Sequence, residues 1–95
     1  MSTPLASIAL PTTVKQAQAQ TVADGLIAQL LAGVSKGSEA VLDASALMHF
    51  DSSALAVVLA CRRAVMAHGA QLLVTGLPER AQALAKVYGL AEMLR

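Results

Sequence analysis

From Ala40 to Thr75 the chain reads "AVLDASALMHFDSSALAVVLACRRAVMAHGAQLLVT". Two short apolar runs, Ala40–Ala44 and Gln71–Thr75, stand at its ends and are bounded by turn residues, the pattern of buried strands. Between them, Ser52 to about His68 has helical periodicity, and Gly69 stands where a left-handed residue commonly ends a helix. Ala46 to Phe50 reads as a connection. Strand, helix and strand in this order predict a right-handed crossover unit on one sheet.

Outward from this unit the same alternation continues. Leu5 to Leu10 predicts a first strand, stopped by Pro11. "TTVKQAQAQ" supports two readings: a short second strand, or an early helix start capped by Thr12 or Thr13. From about Ala19 the spacing of Val22, Leu26, Ile27, Leu30, Leu31 and Val34 predicts a helix with one buried face, ended by Gly33 and "SKGSE". Downstream, Pro78 near a first turn and Gly89 at a stop frame another helix, and "LAEMLR" a last short turn or helix. The order β–(β)–α–β–α–β–α predicts an α/β layer arrangement.

The 95 residues fit one domain, residues 1–95. The composition is 56% hydrophobic but 2% aromatic, with no Trp, which argues against aromatic platforms for sugars or single-stranded nucleic acid. Net charge is +1: two Lys against four acids up to Asp51, five basic groups against two acids from Ser52 onward. This split is too small for a polyanion footprint. Cys61 is the only cysteine, so an internal disulfide and a four-thiolate zinc site are excluded, and His49 and His68 lack metal-ligand spacing. No metal or cofactor is expected. The first residues lack the basic and apolar regions of a secretory signal, and the longest apolar run, Ala54 to Cys61, is far short of the roughly 20 residues a membrane span needs. A cytoplasmic, reducing location is the expectation.

The helix that begins at Ser52 carries apolar residues on two sides. Leu55, Val58, Leu59, Val65 and Met66 form a stripe suited to the sheet, with the Arg62 stem lying along it. The opposite side holds Ala56, Val57, Ala60 and Ala64, with Ser53 at its start and Arg63 and Ala67 at its end. Contiguous apolar surface of this kind marks an interaction site. The plainer readings are that alanine is simply a good helix former, or that a neighbouring helix of the same domain covers the strip. Asp51 and Ser52 suit the N-cap, where side-chain oxygens accept the free N–H groups of the first turn. A phosphate on a hydroxyl there would face the positive end of the helix dipole.

In this segment the chain resembles the STAS-domain family. A strand ending in a D-x-S-like turn, then D-[ST]-[SG]-[GA]-L opening a helix, then Gly, a strand and a last helix is that family's pattern. Asp43, Ser45, Asp51, Ser52, Ser53, Ala54 and Leu55 match it in order, and Gly69, "LLVTGLP" and "ALAKVYGL" continue it. Residues 38–95 carry the resemblance, while the N-terminal third follows only in element order. Ala54 stands where the pattern usually has Gly.

The resemblance implies a mixed four- to five-stranded sheet with interspersed helices. It is strongest to the MlaB-like branch, small subunits of phospholipid-transport ABC systems that maintain outer-membrane lipid asymmetry. By that resemblance Asp51, Ser52, Ser53, Ala56, Val57, Ala60 and Arg63 would bind the ABC transporter ATPase subunit, placing the chain at the inner membrane through its partner. An alternative within the family is an anti-sigma factor antagonist whose Ser52 is phosphorylated by the anti-sigma factor kinase. Catalysis is not expected. "DSSAL" lacks the Gly-x-Ser-x-Gly elbow, His49 sits in a connection as a surface or packing residue, and no Gly-rich phosphate loop ends in Lys. Cys61 is expected to be a small buried hydrophobe, and Tyr88 to pack near the last helix end, with a rim contact as the alternative. Arg62, Arg63, Arg80 and Lys86 are expected to be solvated, with a partner contact as the alternative for Arg63, which continues the Ala56–Ala60 strip.

Overall fold

The chain's alternation of apolar runs and turn residues resolves, in a computed structural model that describes residues 6–89, into eight elements. They are β1 (Ala6–Ala9), β2 (Thr13–Val14), α1 (Gln16–Gly33), β3 (Glu39–Asp43), β4 (His49–Phe50), α2 (Ser53–Ala67), β5 (Gln71–Thr75) and α3 (Glu79–Val87). The expected strand–helix–strand unit is present as β3–α2–β5. The expected closing element at "LAEMLR" lies outside the described residues.

Among the described residues the strands form two ladders and every pairing is parallel, which corrects the expected single mixed sheet. One ladder has the order β1-β3-β5, with Ile8 opposite Leu42 and Leu42 opposite Val74. The other pairs β2 with β4, Thr13 opposite His49 and Val14 opposite Phe50. Between the ladders the same two chain segments stay side by side. Leu10 N–H donates to Asp43 O at 2.8 Å, and the N–H groups of Met48 and His49 both donate to Thr12 O, at 2.8 and 2.9 Å. Pro11, which has no N–H, interrupts the pairing on one side, and a turn closed by Leu47 N–H on Ala44 O interrupts it on the other. The stretch expected to be mere connection therefore ends in a strand of two residues, too short to leave an alternating pattern.

α1 begins at Gln16, three residues before the apolar spacing starts. Its first turn is exposed and carries no apolar signal, and the Lys15 N–H donates to the Gln18 side chain at 3.1 Å in place of a threonine cap. Thr13 lies in β2, so the short-strand reading of that segment holds.

Ala40 and Leu42 of β3 and Val74 of β5 are buried in one core with Ala23, Leu26 and Leu30 of α1. α1 packs on β1 and along α2, and α2 packs on β5. Gly69 has φ +75°, the left-handed residue expected after α2.

Candidate functional site

The register of the short ladder sets the geometry. Because Val14 faces Phe50, the residues that follow them, Lys15 and Asp51, lie abreast, and each leads into a helix. Two helix starts, with their unsatisfied N–H groups, are thereby brought together. Asp51 serves both. Its Oδ1 accepts the Ser53 N–H at 2.8 Å, and its Oδ2 accepts the Gln16 N–H, the first of α1, at 3.2 Å. The Ser53 N–H is the main reason its carboxyl ionises below the usual carboxylate range; the Gln16 N–H, the Ser53 hydroxyl and the Lys15 charge add to this, against partial desolvation.

Asp51 thus takes the capping role expected of the pair Asp51 and Ser52. Ser52 occupies the N-cap position, but its backbone is already helical (φ −61°, ψ −16°) and its side chain makes no capping bond. Its hydroxyl is exposed and has no hydrogen-bond partner among the described residues. Ser53 is half-buried beside it.

Further along α2 the expected division of faces needs correcting. Val57 is 2% exposed, so it cannot serve as a surface contact: α1 lies against that side of α2 and covers it, as the plainer reading allowed. Cys61 is also fully enclosed, as expected, and burial raises its thiol pKa to about 11. Conversely, Leu59 and Met66, expected to face the sheet, turn outward; Leu59 is half-buried and Met66 is 48% exposed. The buried arc centres on Ala54, Val58, Cys61 and Val65. Opposite it run Ser52, Ala56, Leu59 and Arg63, spaced i, i+4, i+7 and i+11 along one face. Ala56 and Arg63 are exposed, while Ala60 and Ala64 are half-buried on the flank toward α1.

Two depressions border this stripe. On one side Ser52, Leu55, Ala56 and Leu59 meet Tyr88, at the end of α3, around a groove of about 350 Å³. Tyr88 is 57% exposed, which fits the alternative of a rim position and not packing at the helix end. On the other side a cleft of about 160 Å³ separates α2 from α1, with Gln20, Asp24 and Ile27 facing Ala56 and Ala60. In the sequence Leu59 read as a sheet-facing residue, and Tyr88 as a packing residue with a rim contact as the alternative. The i+7 step from Ser52 pointed to Leu59; no sequence signal placed Tyr88 beside it.

The neighbouring loops are also built on a carboxylate. Asp43 Oδ1 accepts the Ser45 N–H at 2.9 Å, which with the Ser45 hydroxyl holds the Asp43 carboxyl below its ordinary range. His49 is exposed in β4, and Arg80 of α3 lies over the Phe50 ring, 4.6 Å from its centroid. Arg63, Arg80 and Lys86 are exposed and Arg62 is half-buried. Among the described residues no group of three or more His, Cys, Asp or Glu comes together to hold a metal, and no helix is long and apolar enough to cross a membrane.

No curated protein matches the chain. A family profile described as "Mlab, STAS domain" matches residues 14–95, from the second residue of β2 onward. The match therefore takes in α1, where the sequence resemblance rested on element order alone. With both helix starts and the whole of the α2 surface inside the matched range, the chain belongs to the STAS-domain family, in its MlaB-like form.

Proposed function

We propose that this chain is a non-enzymatic subunit that docks on the ATPase of an Mla-type phospholipid-transport ABC complex and stabilises it, cytoplasmic and held at the inner membrane through that partner. The observation that carries this reading is the face of α2 that is exposed among the described residues: the hydroxyl of Ser52, small or apolar side chains at Ala56 and Leu59, and Arg63 at the far end. The small side chains of Ser52 and Ala56 let another helix approach closely at this end of α2, and the adjoining groove offers Tyr88 as an aromatic anchor. Membership of the MlaB-like family supports the choice of an Mla-type ATPase as that partner. Ala60 contributes from the flank, Asp51 and Ser53 shape the tip, and Val57 supports the surface from beneath.

Affinity capture of the tagged chain from its native cell, followed by mass spectrometry, tests this. The ATPase of a lipid-transport ABC system should be the main companion, with Ser52 unmodified. An ATP-binding anti-sigma kinase in its place, with phosphate on Ser52, would overturn the assignment in favour of a sigma-factor pathway.

A further inference from the structure

We infer that Asp51 is a positioning residue of the docking surface, which keeps the Ser52 hydroxyl available to the partner by capping α1 and α2 in its stead. This rests on the docking function proposed for the α2 face.

A serine at an N-cap normally has extended backbone angles and spends its side-chain oxygen on a first-turn N–H. Ser52 does neither. The bond it would make is made by Asp51, one residue earlier, whose Oδ1 reaches the Ser53 N–H at 2.8 Å. Ser52 is thereby drawn into helical geometry, with its hydroxyl at the rim of the groove formed with Leu55, Ala56, Leu59 and Tyr88. There it offers one donor and two acceptor positions, none taken by this chain among the described residues. The second carboxylate oxygen does a different job. By accepting the Gln16 N–H it ties the start of α1 to the start of α2, one turn before the cleft in which Ala19 and Gln20 face Ala56. The spacing of α1 beside the docking face is set there.

Without the carboxylate, the α2 first turn has free N–H groups and Ser52 is the nearest oxygen. The hydroxyl then turns inward to cap, and the partner loses it. Loss of Asp51 and loss of the Ser52 hydroxyl must therefore have overlapping effects on binding.

A double-mutant cycle with the purified ATPase subunit tests this, using Asp51→Ala, Ser52→Ala and the pair. Asp51→Ala should weaken binding about five- to tenfold, the scale of a lost cap. Ser52→Ala should weaken it in the wild-type background and have almost no further effect once Asp51 is gone, a coupling that a merely structural role does not produce. Gly37→Ala, which strains a left-handed turn beside Gly69 at the opposite end of α2, should leave affinity unchanged and so separates instability from positioning. Asp51→Asn retains one acceptor oxygen and should show a smaller loss in the same direction if the alanine variant does not fold. Wild-type affinity for both Asp51 variants, or fully additive losses, would overturn the inference. Ala56→Glu reports on the docking face itself: if it weakens binding while the Asp51 variants do not, the docking face stands and the inference falls. If Ala56→Glu also binds normally, the docking function fails, and the inference with it.

Discussion

The carboxylate of Asp51 and the missing side chain of Gly76 show how much of this site depends on single atoms. Asp51 ionises below the ordinary range in the folded chain, so on acidification the unfolded chain takes up its proton first. The stabilisation is complete above about pH 4 and is lost as pH falls through the folded value. Thermal unfolding across a pH series should show Tm dropping below about pH 4. Asp51→Asn should have a lower Tm at neutral pH and a shallower acid slope, with Asp43 responsible for part of what remains; an unchanged slope would contradict the double cap. Gly76 has φ +69°, and a Cβ there would sit 2.8 Å from Ser45 Cβ and 3.1 Å from the Ser45 backbone. Gly76→Ala should cost about 1–3 kcal/mol, read as a lower denaturant midpoint with an unchanged slope. Cys61, fully enclosed and a neutral thiol up to about pH 11, should resist thiol reagents in the native state and react at once when the chain is unfolded.

At the scale of the element, α2 carries the argument because it is apolar almost all round and buries only part of that surface. Val58 is 3% exposed among sheet and helix, whereas Leu59, its neighbour, is half-buried toward the groove. Val58→Asp should abolish the cooperative melt by burying an unpaired charge, while Leu59→Asp should keep it. A cooperative melt for Val58→Asp together with its loss for Leu59→Asp would mean the faces are reversed. This contrast was not legible in the sequence. The periodicity of Ser52 to His68 located the helix to within a residue at each end, and Gly69 its stop, because caps and glycines act locally. Which apolar side met the sheet and which met α1 depended on a neighbour 35 residues upstream, so Val57 read as exposed and Leu59 and Met66 as buried. β5 was legible to the residue. β4 was not: two residues have no period, and only pairing with Thr13 and Val14 makes them a strand. Asp51 and Ser52 stood out as a helix start, but the division of labour between them needed the register that brings Gln16 to Asp51.

On the scale of the whole molecule, two parallel ladders deliver two helices to one point, and the family's hydroxyl-bearing signature lies there. The sheet and α1 account for the inner surfaces of α2; the stripe from Ser52 to Arg63 faces outward with a groove beside it. A charge placed on that stripe should disturb association and leave folding alone, since exposed Ala→Glu changes helix propensity little. The most direct measurement is a calorimetric titration of the purified transport ATPase with the wild-type chain and with Ala56→Glu, alongside their melting curves. The account predicts binding by the wild type, a loss of about tenfold or more for Ala56→Glu, and closely similar Tm values. Equal affinity of the two chains for the ATPase, or no binding by either, would contradict it.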